Sequence, residues 1–274
     1  MVRRRTGGKN KINDTRTTQW DDGQREIIAK YKRAHLIQQE TERLYKEITK
    51  QRCRELDPRT GFPKEVFIYN DAMTSSRGDI PKYFAKRTSN KGDVIENRLF
   101  GVEVICGKLS FIMFVSTNQL VKGGANLIVE MTRLTISKLA EQLQILDQPM
   151  PKVFNFQFDN CGENKNITFN AYVSLLIELG HIDCAYMNFL IVGHTHDSLD
   201  QIFSVLSNKI NDSVIATIPA MHELYSSAHS DYHERPWYVL QLEVVHDWSG
   251  FFSPFINTRI SRHSLPHRFK VSYS

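Results

Sequence analysis

Between residues 64 and 212 the sequence contains short apolar runs and amphipathic stretches in a fixed order. Val66–Tyr69, Leu99–Ile105 and Phe111–Val115 predict three strands, and Gly107-Lys108 predicts a hairpin turn between the last two. Beyond this hairpin, helices and strands alternate along the chain. A hairpin followed by such alternation implies a mixed sheet with helices on its faces. The sequence therefore predicts an α/β fold with a mixed five-stranded sheet.

The later elements of this pattern are bounded by glycine and proline. Helices are predicted after Gly123, around Tyr172–Leu179 and over Leu199–Ile210, and strands over Val153–Phe158 and Met187–Val192. The predicted order is strand-strand-strand-helix-strand-helix-strand-helix.

The flanking regions divide the chain into four segments. Residues 1–22 are predicted to be a basic disordered arm. Residues 23–57 are predicted to be a helical extension, in one helix or two, that faces solvent and carries a thin apolar stripe of Ile27, Ile28, Tyr31, Leu44, Tyr45 and Ile48. Residues 64–212 form the predicted main domain. Residues 213–274, with one strand-like run at Trp237–Val245, are expected to be a satellite of the same domain.

Composition limits the class of protein. Apolar residues make up 41% of the chain and charged residues 24%, as in ordinary globular proteins. No apolar run reaches the ~18–20 residues of a membrane helix, and no apolar leader follows the first methionine. The four cysteines are widely spaced, which argues against a structural zinc site or a disulfide framework. We expect a nuclear or cytoplasmic protein that is not secreted and does not contact a membrane.

The formal charge of +5 is concentrated near the N-terminus, where residues 1–20 contain six basic residues and one acid. Such a cluster is suited to nucleic-acid phosphates or to a nuclear address, and it is equally typical of a solvated tail. The candidate contacts to the nucleic-acid backbone are Arg3, Arg4, Arg5, Lys9 and Lys11.

Acidic side chains stand at the ends of three predicted elements. Asp71 ends the first strand, Asp159 ends the fourth, and Asp197 and Asp200 lie at the start of the last helix. Ligands in open α/β sheets bind outside the carboxyl ends of parallel strands. If the first and fourth strands are neighbours, Asp71 and Asp159 lie side by side at that end of the sheet, and the last helix brings Asp200 to it. Each also has an ordinary structural interpretation, since Asp is common in turns and at helix N-caps.

Clustered carboxylates repel one another unless a cation joins them, and hard oxygen ligands favour Mg²⁺ or Mn²⁺. The predicted ligands are Asp71, Asp159 and Asp200, with Asp197 as an alternative to Asp200 or an addition to it. Two such ions ~4 Å apart would stabilise the attacking and leaving oxygens of a phosphoryl transfer.

Two polar loops supply supporting candidates. In Asp159–Asn166, Glu163 is a possible further ligand and Lys165 a possible phosphate contact; both are also ordinary turn residues. In Gly193–Asp197, His194 and His196 are candidates for positioning water or substrate phosphate. A Gly-His-Thr-His sequence also occurs in calcineurin-like metallophosphoesterases, but the early Asp-x-His and the Gly-Asn-His of those enzymes are missing here.

Several blocks of sequence resemble one family. They are Asp71-Ala72-Met73 with Pro81, Phe158-Asp159-Asn160-Cys161, Glu163-Asn164-Lys165-Asn166, the run Phe189–His196 and the run Asp197–Ser204. From about His35 to the C-terminus the chain resembles a transposon-associated eukaryotic domain family of unknown function. The family often has Glu where this chain has Asp197, which keeps a carboxylate at that position.

The resemblance implies an origin in mobile DNA and a ribonuclease H-like fold. The leading hypothesis is a transposase- or integrase-like nuclease or strand transferase that acts on DNA with Mg²⁺ or Mn²⁺, with a homo-oligomer as the candidate assembly. The alternative is a catalytically inactive, domesticated domain that binds nucleic acid or a protein partner. A calcineurin-like metallophosphoesterase is the lesser alternative.

Overall fold

The computed structural model describes residues 21–74, 77–82, 94–159, 165–190, 198–228, 235–256 and 268–273. Its elements, in chain order, are α1 (Asp22–Arg54), β1 (Glu65–Ala72), β2 (Asn97–Cys106), β3 (Leu109–Asn118), α2 (Ala125–Ile145), β4 (Val153–Phe158), α3 (Ile167–Glu178), β5 (Cys184–Phe189), α4 (Ser198–Asn211), α5 (Ile218–Ser227), β6 (Trp237–Leu242), α6 (Trp248–Phe252) and β7 (Arg268–Ser272).

The strands form a seven-stranded mixed sheet in the order β6-β3-β2-β1-β4-β5-β7. The hairpin strands β2 and β3 are antiparallel, and β2 is antiparallel to β1. Strands β1, β4 and β5 are parallel to one another. The predicted α/β class, with a mixed sheet flanked by helices and an N-terminal helix, is confirmed.

The C-terminal region extends the predicted five strands by one strand at each edge. Strand β6 pairs in parallel with β3, and β7 pairs antiparallel with β5. Residues 213–274 were expected to be a satellite of the main domain, and two of their segments are strands of its sheet.

Two apolar cores lie on the two faces of the sheet because side chains alternate along each strand. Val66 and Ile68 of β1 pack in one core with α2, α3 and α6. Phe67 and Tyr69 face the other core, which contains Cys53 of α1 and the apolar sides of α4 and α5.

Local signals in the sequence fix the ends of several elements. The Asn166 side chain accepts a hydrogen bond from the Phe169 backbone at 2.7 Å and caps α3. Gly107 turns the β2–β3 hairpin with a φ of 59°, and a Cβ there would lie 2.8 Å from Leu56. A glycine is therefore needed at the turn for both reasons.

The chain divides into two compact units, residues 1–41 and 42–274. In the first, the described residues form the N-terminal part of α1 from Asp22. The second contains the remainder of α1 and the whole sheet. None of the helices in the described ranges has the length and apolar character needed to cross a membrane.

The buried side of α1 in the second unit differs from the prediction. The apolar stripe included Leu44 and Ile48, yet both are exposed, whereas Lys46 and Lys50 are buried. Lys46 Nζ lies 3.7 Å from the centroid of the Tyr69 ring, so its stem and ammonium group cover an aromatic side chain of β1. This part of α1 therefore packs on β1 through lysine side chains, and Leu44 and Ile48 of the predicted apolar stripe face solvent.

Candidate functional site

The strand register places Asp71 and Asp159 on adjacent strands, at the carboxyl ends of both. Tyr69 of β1 pairs with Gln157 of β4 in a parallel ladder. Asp71 and Asp159 are each two residues further along, so their side chains project from the same face. Asp71 is the penultimate residue of β1 and Asp159 directly follows the last residue of β4, so both lie at strand ends, as predicted.

The carboxylate of Asp71 is held by two hydrogen bonds. The Ala72 backbone N–H donates to Oδ1 at 2.8 Å, and the Tyr69 hydroxyl donates to Oδ2 at 3.2 Å. Tyr69 is fully buried, so its hydroxyl fixes one Asp71 oxygen from the interior side of the strand.

Helix α4 packs on the sheet at a glycine near these strand ends. Gly101 of β2 lies opposite Asp71 in the β1–β2 ladder. A Cβ on Gly101 would lie 2.9 Å from the Phe203 ring and 3.2 Å from Leu199, and both are residues of α4. The glycine thus allows close packing of the first turns of α4, where Asp200 lies.

The electrostatics of Asp71 show that the three predicted carboxylates are near one another. Burial, together with the negative charges of Asp200 and Asp159, raises the pKa of Asp71 to about 6, and the two hydrogen bonds oppose this rise. Burial and the same three acids raise the pKa of the Tyr69 hydroxyl. The structure therefore brings Asp71, Asp159 and Asp200 into one electrostatic neighbourhood.

The donor chemistry of this neighbourhood suits a hard divalent cation, because such a cation would offset the mutual repulsion of the three carboxylates. Within the described residues, however, no three His, Cys, Asp or Glu side chains are placed to hold one metal ion. The fit is one of donor type and charge, and the described side chains do not form a complete ligand set.

The remaining predicted residues fall into two groups. The Lys165 ammonium lies 5.3 Å from the centroid of the Phe189 ring, and burial lowers the pKa of Lys165 while Glu42 raises it. Outside the described residues lie Arg3, Arg4, Arg5, Lys9, Lys11, Glu163, His194, His196 and Asp197.

Sequence reasoning missed a buried charge network beside the site. Glu103 of β2 is 1% exposed; it accepts from the Lys50 ammonium at 2.9 Å and from the Ser198 hydroxyl at 3.0 Å, and Arg235 also pairs with it. Burial alone would raise the pKa of Glu103, but Lys50 and Arg235 hold it below its usual value. An acid amid the apolar run of β2 was the available signal.

The family model of a domain of unknown function, DUF7869, matches residues 87–274. The chain belongs to the DUF7869 family. This confirms the resemblance to a domain of unknown function. Comparison with curated proteins finds none that matches. Asp159 and Asp200 lie within the DUF7869 region, whereas α1 and Asp71 precede it.

Proposed function

We propose that this protein is a metal-dependent phosphoryl transferase that acts on DNA, of the transposase or integrase type. One observation carries the proposal. Asp71 and Asp159 lie at the ends of two parallel strands and Asp200 lies on a helix, and the charges of Asp159 and Asp200 both raise the pKa of Asp71. The β3-β2-β1-β4-β5 part of the sheet, with β1, β4 and β5 parallel, supports a ribonuclease H-like fold. An origin in a mobile element is part of the same proposal.

Asp71, Asp159 and Asp200 would hold Mg²⁺ or Mn²⁺. A bound ion of this kind stabilises negative charge that develops on the oxygens of a phosphoryl group. The chain contributes the positions of its carboxylates: the Tyr69 hydroxyl and the Ala72 N–H orient Asp71. Close packing of α4 on Gly101 brings Asp200 to the same end of the sheet.

Cleavage of DNA by an Asp159→Asn variant tests the proposal. We expect the variant to lose activity by ~100-fold or more in Mg²⁺ or Mn²⁺, because loss of a ligand removes several kcal/mol of transition-state stabilisation. Asp183→Asn is the matched control, since Asp183 is an exposed acid just before β5, at the opposite end of the sheet. Equal cleavage by wild type and Asp159→Asn would rule out the assignment.

A second candidate is a catalytically inactive domain that binds nucleic acid or a protein partner. The observation in its favour is that no three acids, histidines or cysteines of the described residues form a metal site. Calorimetric titration with Mn²⁺ separates the two functions. Saturable heat that disappears in Asp71→Asn and Asp159→Asn supports the enzyme, and no saturable heat in wild type supports the inactive domain.

A further inference from the structure

We propose that β7 and the neighbouring part of β5 bind the phosphate backbone of a nucleic-acid strand through Arg268 and Lys270. This inference rests on the proposed function, because it names the surface along which the substrate of the carboxylate site would run. We call this surface the β7 platform; it consists of Arg268 and Lys270 with the rings of Tyr45 and Tyr186.

The β7 platform is connected to the carboxylate site by one row of the sheet. Tyr69 pairs with Gln157, Gln157 with Asn188, and Asn188 with Arg268. Neighbouring strands lie ~4.8 Å apart, so three steps place the Arg268 backbone about 14 Å from that of Tyr69. That distance is about four nucleotide steps along one strand of a duplex, at ~3.4 Å per step.

The arginine is stacked against two tyrosine rings. The central guanidinium carbon of Arg268 lies 4.3 Å from the centroid of the Tyr45 ring and 5.0 Å from that of Tyr186. The N–H donors of a guanidinium lie in its plane, so contacts to ring faces leave them able to donate to phosphate oxygens. The Lys270 ammonium is 6.0 Å from the centroid of the same Tyr186 ring.

Both cations have the exposure that a phosphate ligand requires. Arg268 and Lys270 alternate with the half-buried Phe269 and Val271 along β7, and both are exposed. Within the described part of the chain, neither forms an ion pair with an acid. The two positive charges are therefore not neutralised there by a carboxylate.

The other edge of the same sheet provides a comparison. Cations on an edge strand can serve to prevent pairing with another sheet. Yet β6, the opposite edge strand, has the sequence Trp-Tyr-Val-Leu-Gln-Leu and contains no cation. Of the two edge strands, only β7, which is closer to Asp159, contains basic residues, and this favours a binding role over general protection of edges.

Fluorescence anisotropy with a labelled single-stranded oligonucleotide, in the absence of divalent cations, tests the platform separately from cleavage. The test variant is Arg268→Gln/Lys270→Gln. Its matched control is Lys64→Gln/Lys108→Gln, which removes two charges at the opposite end of the sheet, just before β1 and in the β2–β3 turn. Circular dichroism establishes that both variants are folded.

We expect the test variant to bind about tenfold more weakly than wild type, and the control to bind as wild type does. Because each phosphate contact contributes about 0.7 to the slope of log K against log salt, the slope should decrease by about 1.4. Equal affinities of the two double variants would overturn the inference, as would absence of oligonucleotide binding by wild type. Displacement of the oligonucleotide by polyglutamate at equal charge concentration would also overturn it, in favour of an acidic protein partner.

The two proposals can fail independently. If wild type binds through Arg268 and Lys270 but cleaves no DNA, phosphoryl transfer is wrong and the binding site stands. If wild type cleaves DNA and the test variant binds as tightly as wild type, the binding site is wrong and phosphoryl transfer stands.

Discussion

Asp71 and Gly101 lie opposite each other in the β1–β2 ladder, so the predicted metal ligand shares one row of the sheet with the glycine on which α4 packs. The absence of a side chain at residue 101 allows the Phe203 ring to rest on β2. Any residue larger than glycine must displace the Phe203 ring, or the helix that carries it, at the strand end where Asp71 lies. This makes Gly101 a determinant of the site although it has no functional group.

We therefore predict that Gly101→Ala lowers the free energy of unfolding by about 1–3 kcal/mol, as is typical of overpacking. The added Cβ would lie 2.9 Å from Phe203. Phe203→Leu in the same chain should relieve the clash, so the double variant should be more stable than the sum of the single effects predicts. Urea unfolding of the four proteins measures the coupling, and strict additivity would contradict the proposed contact.

Much of the sheet could be predicted because its strands are local patterns. The predicted bounds of β4, Val153–Phe158, are those of the structure. Its alternating phenylalanines pack in one core, and Pro151 precedes it. The neighbourhood of Asp71 and Asp159 followed from the assumption that β1 and β4 are adjacent, which the parallel ladder confirms.

The missed features depend on contacts between distant residues. The run Arg268–Ser272 alternates polar and apolar residues, but it is short and basic, and its pairing with β5 bridges more than eighty residues of chain. In α1, the apolar side chains of Leu44 and Ile48 are exposed, and Lys46 and Lys50 are buried in their place. Lys50 is buried because its ammonium pairs with Glu103, and a hydrophobic pattern does not contain that information.

The stability of the protein should depend on pH through Asp71. Its folded-state pKa of about 6 lies above the ordinary value of 3.8, so between these values the folded chain binds more protons than the unfolded chain. The free energy of unfolding should therefore decrease as pH rises from 4 to 7. Asp71→Asn should remove that loss and be more stable than wild type at pH 7 by on the order of 1–3 kcal/mol.

Urea unfolding of wild type and Asp71→Asn at pH 4 and pH 7 measures this difference. Asp183→Asn, which removes an exposed carboxylate, should retain the pH dependence of wild type. Parallel stability curves for wild type and Asp71→Asn would show that Asp71 has an ordinary pKa in the folded chain.

Lys46 should make the free energy of unfolding depend on pH in the opposite direction. Burial and the charge of Lys50 lower the pKa of Lys46 to about 7. Between this value and its ordinary one the unfolded chain binds more protons, so stability should rise with pH above 7. Lys46→Met retains an apolar stem over Tyr69 without the buried charge, and it should be more stable than wild type at pH 7 by ~1–4 kcal/mol.

The stability advantage of Lys46→Met over wild type should shrink toward pH 10, where Lys46 of folded wild type is a neutral amine. Lys30→Met is the control, because Lys30 is exposed on the same helix and pairs with Glu26 at the surface. It should change stability by less than about 1 kcal/mol. A Lys46→Met protein less stable than wild type at pH 7 would mean that the ammonium is a net stabilising group.

The buried pair of Glu103 and Lys50 allows a double-mutant test. Glu103→Gln removes the negative partner from an ammonium group that is almost fully buried, and we expect it to cost about 3–5 kcal/mol in unfolding free energy. Adding Lys50→Met should recover most of that loss, because the uncompensated charge is then gone and an apolar chain fills its place over Phe67.

Glu141→Gln provides the comparison, since Glu141 pairs with Lys138 at 2.8 Å on the surface. Solvent screens that pair, and the expected cost is below about 1 kcal/mol. Equal costs for Glu103→Gln and Glu141→Gln would show that Lys50 finds water or another partner when Glu103 is neutral. A double variant no more stable than Glu103→Gln would assign the loss to the Ser198 and Arg235 contacts of Glu103, and thus to the positioning of α4.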